Sequence, residues 1–267
     1  MEIQDKVFVV TGAGFGIGRE VVLNLLGKGG KVAAVDLSAE GLAGTVELAG
    51  EHAVNLSTHV VSVADAAAVA ALPDAVIAAH GGVDGLINVA GIIQKFVPFA
   101  ELSNAEMEKV FSVNFWGVVN TVQAFLPHLL KRPAAAIVNV SSMGGFIPVP
   151  GQTIYGASKA AVKLLTEGLH AELRDTPVRV TVIFPGAIAT NIAANSGVVV
   201  PGGADVDVSK FKLTTAADAA EVIVTAMAKG TYRATIGSDA KMLDRLTRLA
   251  PERAMAMLAE QMASLRN

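Results

Sequence analysis

The chain has 267 residues, 52% of them hydrophobic and 17% charged, enough apolar material for one α/β domain with a large core. A formal net charge of −3 and a pI near 6.0, with no basic stripe, argue against a nucleic-acid partner. Cysteine is absent, which excludes disulfides, thiolate metal sites and cysteine nucleophiles. The start, Met1 to Lys6, lacks the basic and apolar regions of a signal peptide, and Gly, Pro, Asn or a charge interrupts each apolar run. The expectation is a cytoplasmic protein with no membrane span.

Lys6 to Thr11 is an apolar, β-branched run. It feeds the glycine-rich turn Thr11-Gly12-Ala13-Gly14-Phe15-Gly16-Ile17-Gly18, and Arg19 to Lys28 then has helical spacing. Strand, turn and helix in that order form the start of a dinucleotide-binding unit. Glycines let the backbone approach a pyrophosphate, and the helix N-terminus offers free N–H groups. Lys31 to Val35 is the second strand, with Asp36 at its end and Leu37 after it. An acidic side chain there can accept hydrogen bonds from ribose hydroxyls and repel a 2′-phosphate, which favours NAD over NADP. Asp36 could also cap the next helix, expected over Ala39 to about Ala49.

The pattern predicts a third strand over about His59 to Val63 and a helix over Ala64 to Ala79, with Pro73 a break or kink. Asn55-Leu56-Ser57 is a glycosylation sequon that stays idle without secretion. Gly85 to Val89 is the fourth strand and runs into Asn88-Val89-Ala90-Gly91, small residues that suit ligand approach. Ser103 and Glu106 have capping-box spacing ahead of a helix reaching about Leu130. Asn114 lies inside that helix, a polar amide among apolar neighbours that must find partners. Pro127 ends or bends the helix.

Ala135 to Val140 is the fifth strand, and it delivers Ser142 to the crevice that faces the glycine turn. Thirteen residues later comes Tyr155-Gly-Ala-Ser-Lys159, followed by helical spacing from Ala160 to Leu173. Side chains at i and i+4 share a helix face, so the phenol and the ammonium can reach the same space. A free tyrosine, with a pKa near ~10, is a poor acid–base catalyst at neutral pH, and a neighbouring cation is expected to lower it. A sixth strand spans Val178 to Phe184, followed by Pro185-Gly186-Ala187-Ile188-Ala189-Thr190. Residues from about 190 to 213 read as a mobile flap, Thr215 to Ala228 as a helix and Tyr232 to Ile236 as a short strand. From Ser238 two amphipathic segments flank Pro251; Met242, Met255, Met257 and Met262 suit packing better than metal binding, and the five histidines lack ligand spacing. The alternation predicts one α/β domain over residues 1–267: a single doubly wound parallel sheet, Rossmann-type, with helices on both faces.

Taken together, these motifs resemble the compact, one-domain short-chain dehydrogenase/reductase family over roughly residues 5 to 236. Thr11-Gly-x-x-x-Gly16-x-Gly18, Asn88-x-Ala90-Gly91, the set Asn114, Ser142, Tyr155 and Lys159, and Pro185-Gly186 with Thr190 carry the likeness. Two positions depart from it. Val89 replaces the second Asn of the family's Asn-Asn-Ala-Gly, and Ser62 stands where the family has Asp near the adenine, with Asp65 close by.

The resemblance implies an oxidoreductase acting on CH–OH groups, with NAD as cofactor. Tyr155 would be the general acid or base, Lys159 would lower its pKa and bind the nicotinamide ribose, Ser142 would bond the substrate oxygen, and Asn114 would hold a water leading to Lys159. The cofactor would be held by Gly12, Gly16, Ile17, Gly18, Asp36, Leu37, Ser62, Val63, Asn88, Ala90, Gly91, Tyr155, Lys159, Pro185, Gly186, Ile188 and Thr190. Substrate would meet Ser142, Met143, Gln152 and Tyr155, with Ile147, Ala187 and Ile192 as further pocket walls. Their apolar character suggests an apolar alcohol or ketone. The family implies a homo-oligomer, dimer or homotetramer, joined through the helices bearing Asn114 and Tyr155. The alternatives are a catalytically silent NAD-binding regulatory or scaffold protein and, less well matched, an epimerase or dehydratase.

Overall fold

In the computed structural model, which describes residues 1–199 and 213–261, every strand of the main sheet is parallel. The chain runs β1 (Val7–Thr11), α1 (Gly16–Gly27), β2 (Lys31–Asp36), α2 (Ala39–Ala49), β3 (Leu56–Val60), α3 (Ala66–Ala70), α4 (Leu72–His80) and β4 (Gly85–Asn88). It continues through α5 (Asn104–Phe111), a π-helical turn (Ser112–Trp116), α6 (Gly117–Leu129), β5 (Ala135–Val140), α7 (Thr153–Glu172) and β6 (Val178–Pro185). The last described elements are β7 (Ile188–Ala189), α8 (Ile192–Asn195), β8 (Thr214–Thr215), α9 (Ala216–Lys229), β9 (Arg233–Ile236), α10 (Ser238–Leu249) and α11 (Pro251–Gln261). Sheet order is β3-β2-β1-β4-β5-β6-β9, with β7 and β8 as a separate small pair.

Successive strand side chains point to opposite faces, and here both faces are covered. Phe8, Val10, Ile87, Val138 and Ile183 pack against Val22 and Leu25 of α1 and Ile223 and Met227 of α9. Val7, Val9, Leu86 and Ile137 pack on the other side against Val122 and Phe125 of α6 and Val162 of α7. Double coverage explains why β1 and β5 are buried along their whole length. The strand order reverses between β1 and β4, so the carboxyl ends of these strands open a crevice.

Several expected boundaries move. The third strand is Leu56–Val60, not His59 to Val63. As the edge strand it pairs Asp36 with Val60, so Val61 to Val63 run past the sheet and over the crevice. The helix expected over Ala64 to Ala79 is two, broken at Ala71, with Pro73 in the first turn of the second, where its missing N–H costs nothing. Pro127 stays inside α6, which ends two residues later. Asn114 lies in the π-helical turn between α5 and α6 rather than in one continuous helix. Ser103 does cap α5 through the Glu106 N–H, but the Glu106 carboxylate accepts from Lys95 N–H at 2.9 Å, so the reciprocal half of the capping box is spent on a loop. Ala250 separates α10 from α11, and Pro251 is the first residue of α11 rather than the break. Met257 packs with these helices against Ile147, whereas Met242 and Met255 are exposed. Residues 200–212 of the expected flap, and Met262, lie outside the described residues.

Candidate active site

The crevice is a cleft of about 460 Å³. One wall is the turn from β1 to α1. Gly12 and Gly16 have φ of 68° and 51°, the left-handed region that favours glycine. A Cβ on Gly12 would come within 2.8 Å of the Ala90 backbone, so the first turn and the end of β4 touch only because that side chain is absent. Thr11 fastens the same junction, its hydroxyl oxygen accepting the Val89 and Ala90 N–H groups at 3.2 Å. No side chain caps the start of α1, and Gly16, Ile17 and Gly18 line the cleft. Uncapped N–H groups at a helix N-terminus are the donors a pyrophosphate needs, so these residues fit a dinucleotide.

At the far end of β2, Asp36 accepts from Gly14 N–H at 2.8 Å and from Ser38 N–H at 2.9 Å. Ser38, not Asp36, caps α2 by accepting from Gly41 N–H at 3.0 Å. Asp36 therefore braces the glycine turn while lining the cleft beside Leu37 and Phe15. Sequence reasoning missed Arg19, whose guanidinium donates to the carbonyls of Gly14 and Gly41 and to Thr45 Oγ1 and sits over the Phe15 ring. Ser62 and Val63 line the opposite wall. Asp65, the other candidate near the adenine, instead caps α3 by accepting from Ala67 and Ala68 N–H at 3.0 Å each.

Ala90, Gly91 and Thr190 also line the cleft, and the Thr190 methyl faces Gly16. Asn88 does not. Its amide nitrogen donates to Asn139 Oδ1 at 2.9 Å and its oxygen accepts from Thr121 at 2.8 Å. Asn139 passes the chain on to Thr166. Asn88 thus ties β4 and β5 to α6 and α7 inside the core; a polar residue in a fully buried strand must pair there. Pro185, Gly186 and Ile188, and with them Tyr155 and Lys159, also fall outside the cleft lining. Gly186 bonds Ile236 O through its N–H, and Ala187 N–H donates to Asp239 Oδ2 at 2.7 Å. Ile188 pairs with Thr214 in the small sheet. Asp239, at the start of α10, is a second residue the sequence did not mark, and it holds the segment that presents Thr190.

The four expected catalytic side chains converge. A Cβ built on Gly144 would lie 3.4 Å from both Ser142 Oγ and the Tyr155 ring, so hydroxyl and phenol share one space. A Cβ on Gly91 would lie 3.1 Å from Lys159 Nζ and 3.3 Å from Asn114 Oδ1, so that glycine admits the lysine to the cleft's edge. Lys159 donates to Val140 O at 3.0 Å, and its Nζ is 6.0 Å from the Tyr155 ring centre. Ser141 Oγ donates to Lys159 O at 2.7 Å, fastening α7 to the end of β5. Asn114 donates to Ile92 O and Ser158 Oγ and accepts from Ile92 N–H at 2.8 Å. Its amide links the loop after β4 to α7.

The net direction at Tyr155 is upward, opposite to the expected lowering, and burial is its cause. Burial raises the Tyr155 pKa above its ordinary value, and the Ser142 hydroxyl opposes that rise. Burial also pushes Lys159 down to about 8. Desolvation, which disfavours both charged forms, dominates this site. Gln152 is buried, its amide nitrogen donating to Gln94 O at 2.8 Å and its oxygen without a partner among the described residues. Met143 packs partly on the Ile147 cluster beneath α10 and α11, and Ile147 itself is fully enclosed there rather than lining a pocket. Ile192 lines the cleft.

Residues 6–198 match the sequence profile of short chain dehydrogenases. The chain belongs to the short-chain dehydrogenase/reductase family. The oxidoreductase SadH of Mycobacterium tuberculosis is 40% identical over 255 residues, covering 92% of this chain and 91% of SadH. The 1-deoxy-11-beta-hydroxypentalenate dehydrogenase of Streptomyces avermitilis is 36% identical over 207 residues, 76% of each chain. Among solved structures, a short-chain dehydrogenase from Burkholderia phymatum in complex with NAD superposes with a TM-score of 0.86 at 30% identity, covering 94% of this chain and 96% of that one. One from Burkholderia cenocepacia in complex with NADP gives 0.80 at 26%, covering 97% and 99%. This short-chain dehydrogenase is thus an oxidoreductase whose fold binds a nicotinamide cofactor. Among the described residues no helix is long and apolar enough to cross a membrane, and no group of three or more His, Asp or Glu could hold a metal.

Proposed function

We propose that this chain is an NAD-dependent oxidoreductase of apolar secondary alcohols and ketones, with Tyr155 as the general acid or base. The observation that carries the reading is the meeting of Ser142 and Tyr155 at Gly144, beside the lysine admitted by Gly91. Nicotinamide, when bound, supplies or accepts the hydride at the substrate carbon. In reduction the carbonyl oxygen takes the Tyr155 proton while the Ser142 hydroxyl donates to the same oxygen. In oxidation the phenolate takes the alcohol proton back. Because burial favours the neutral phenol, reduction is served at neutral pH and oxidation gains as pH rises.

The preference for NAD rests on Asp36, flanked in the cleft by the uncharged Phe15 and Leu37. Its carboxylate suits ribose hydroxyls and repels a 2′-phosphate. The apolar residues that follow Ser142, among them Met143, Phe146 and Val149, which lie half-buried against the Ile147 cluster, support an apolar substrate. One relative's name gives a hydroxypentalenate as its substrate. A homo-oligomer in the cytoplasm completes the reading.

The test is a panel of secondary alcohols and ketones, including 2-octanol and 2-octanone, assayed with NAD(H) and NADP(H). Turnover is expected with NAD(H), and Tyr155→Phe is expected to lower kcat by about 10² to 10⁴-fold with cofactor binding retained. Undiminished turnover by Tyr155→Phe would remove the tyrosine from its role. A protein that binds NAD and turns over no panel member would instead be the silent cofactor-binding form.

A further inference from the structure

The catalytic helix α7 has no cap of its own. Gln152 occupies the N-cap position and its side chain makes no capping bond. The first N–H groups of any helix lack partners within it. Here two of them, on Ile154 and Tyr155, are met by one oxygen from outside: Gln94 Oε1 accepts them at 2.7 Å and 2.9 Å. Gln94 comes from the loop after β4, sixty-one residues before Tyr155. Its amide nitrogen donates to Gly151 O at 3.0 Å, and its own carbonyl accepts from Gln152 at 2.8 Å. Gln94 is 1% exposed and Gln152 3%. The two glutamines clamp the entry to α7 onto the segment that carries Gly91 and Ile92.

We propose that Gln94 is a positioning residue for the reaction: by capping α7 in trans it fixes the Tyr155 phenol against Ser142 and the cleft. The inference rests on Tyr155 being the proton-transfer group. The geometry gives it force, since one of the two captured N–H groups is that of Tyr155 itself. A displacement of about 1 Å at a reacting group can cost about 10²-fold in rate. A side chain that serves the fold alone would alter stability without altering the phenol's surroundings.

The phenol can be read directly. Tyr155 and Tyr232 are the two tyrosines of the chain, so in a Tyr232→Phe background ultraviolet titration follows Tyr155 alone. Gln94→Met keeps the volume and removes the acceptor. The first turn of α7 should then loosen and admit water to the ring, and the ionisation midpoint should fall toward that of an unburied tyrosine. With the fastest panel alcohol, kcat should fall about tenfold or more while the cofactor KM stays within about twofold. Gln94→Glu keeps an oxygen for both N–H groups but loses the donor to Gly151 O, so its midpoint should stay above that of Gln94→Met and kcat should recover in part. Gln94→Asn, shorter by one carbon, replaces Gln94→Met if the latter does not fold. An unchanged midpoint in Gln94→Met, with Tyr155→Phe still inactive, overturns the role of Gln94 alone. Activity in Tyr155→Phe overturns the reading on which it rests.

Discussion

Lys159 carries an ammonium into a site whose burial lowers its pKa to about 8, below the 10.5 of an unburied lysine. The unfolded chain therefore holds that proton more tightly than the folded one, and folding pays a penalty while both states are protonated. The penalty is full below about pH 8, shrinks as pH rises from about 8 to 10.5, and is absent above that window. Lys159→Met should raise Tm at pH 7 by a few degrees, lose that advantage as pH passes 8 toward 10, and abolish turnover. Thermal melts at pH 7 and pH 10 check this; a lower Tm at pH 7 would mean the bond to Val140 O outweighs the desolvation. Asp36 acts at the same scale. Removing its charge with Asp36→Ala should shift the ratio of kcat/KM for NAD over NADP toward NADP by about tenfold, the worth of roughly 1.4 kcal/mol of repulsion. Paired kinetics with both cofactors decide it, and an unmoved ratio would take Asp36 out of cofactor choice. That Tyr155, Lys159, Ser142 and Asn114 meet in one place was expected from the family resemblance that their order along the chain carries. Gln94, Arg19 and Asp239 were not. Each acts through backbone groups far away in sequence, and a lone Gln, Arg or Asp carries no pattern by itself.

Elements explain how those residues are held. The β6-to-β7 segment that presents Thr190 leans on α10, because the Asp239 carboxylate occupies the space a Gly186 side chain would need and accepts the Ala187 N–H. A helix that follows the last strand thus supports one wall of the cleft. Asp239→Ala should leave that N–H unpaired, at a cost of about 1–3 kcal/mol, and raise the cofactor KM more than it lowers kcat. Steady-state kinetics separate the two; a loss confined to kcat would place Asp239 elsewhere in the reaction. The π-helical turn at Ser112–Trp116 is likewise an element-scale device, since it brings the Asn114 amide onto Ile92 and Ser158. Helical periodicity shows a helix on both sides of Asn114, but an extra residue in one turn leaves no mark in the apolar pattern.

At the scale of the whole molecule, the π-helical turn and α7 present apolar side chains on their outer surface. Phe115 is drawn into the core, but Trp116 and Leu164 stand 54% and 69% exposed on the π-helical turn and α7. Two large apolar side chains on neighbouring elements are costly to leave in water. A second copy of this chain docking there is expected to give a mass of two or four subunits by light scattering. The double variant Trp116→Glu, Leu164→Glu should lower that mass to a monomer; a monomeric parent protein, or an unchanged mass in the variant, would rule out this face. The alternation of strands and helices, the parallel sheet and the crevice at its carboxyl edge follow from the sequence by itself, because apolar β-branched runs, glycine turns and helical spacing are local properties. Only the tertiary structure decided that Asn88 faces the core, that burial raises the phenol's pKa, and that a glutamine from another loop caps α7. Burial and hydrogen-bond partnership depend on what the rest of the chain brings alongside, and neither is written in any short stretch of residues.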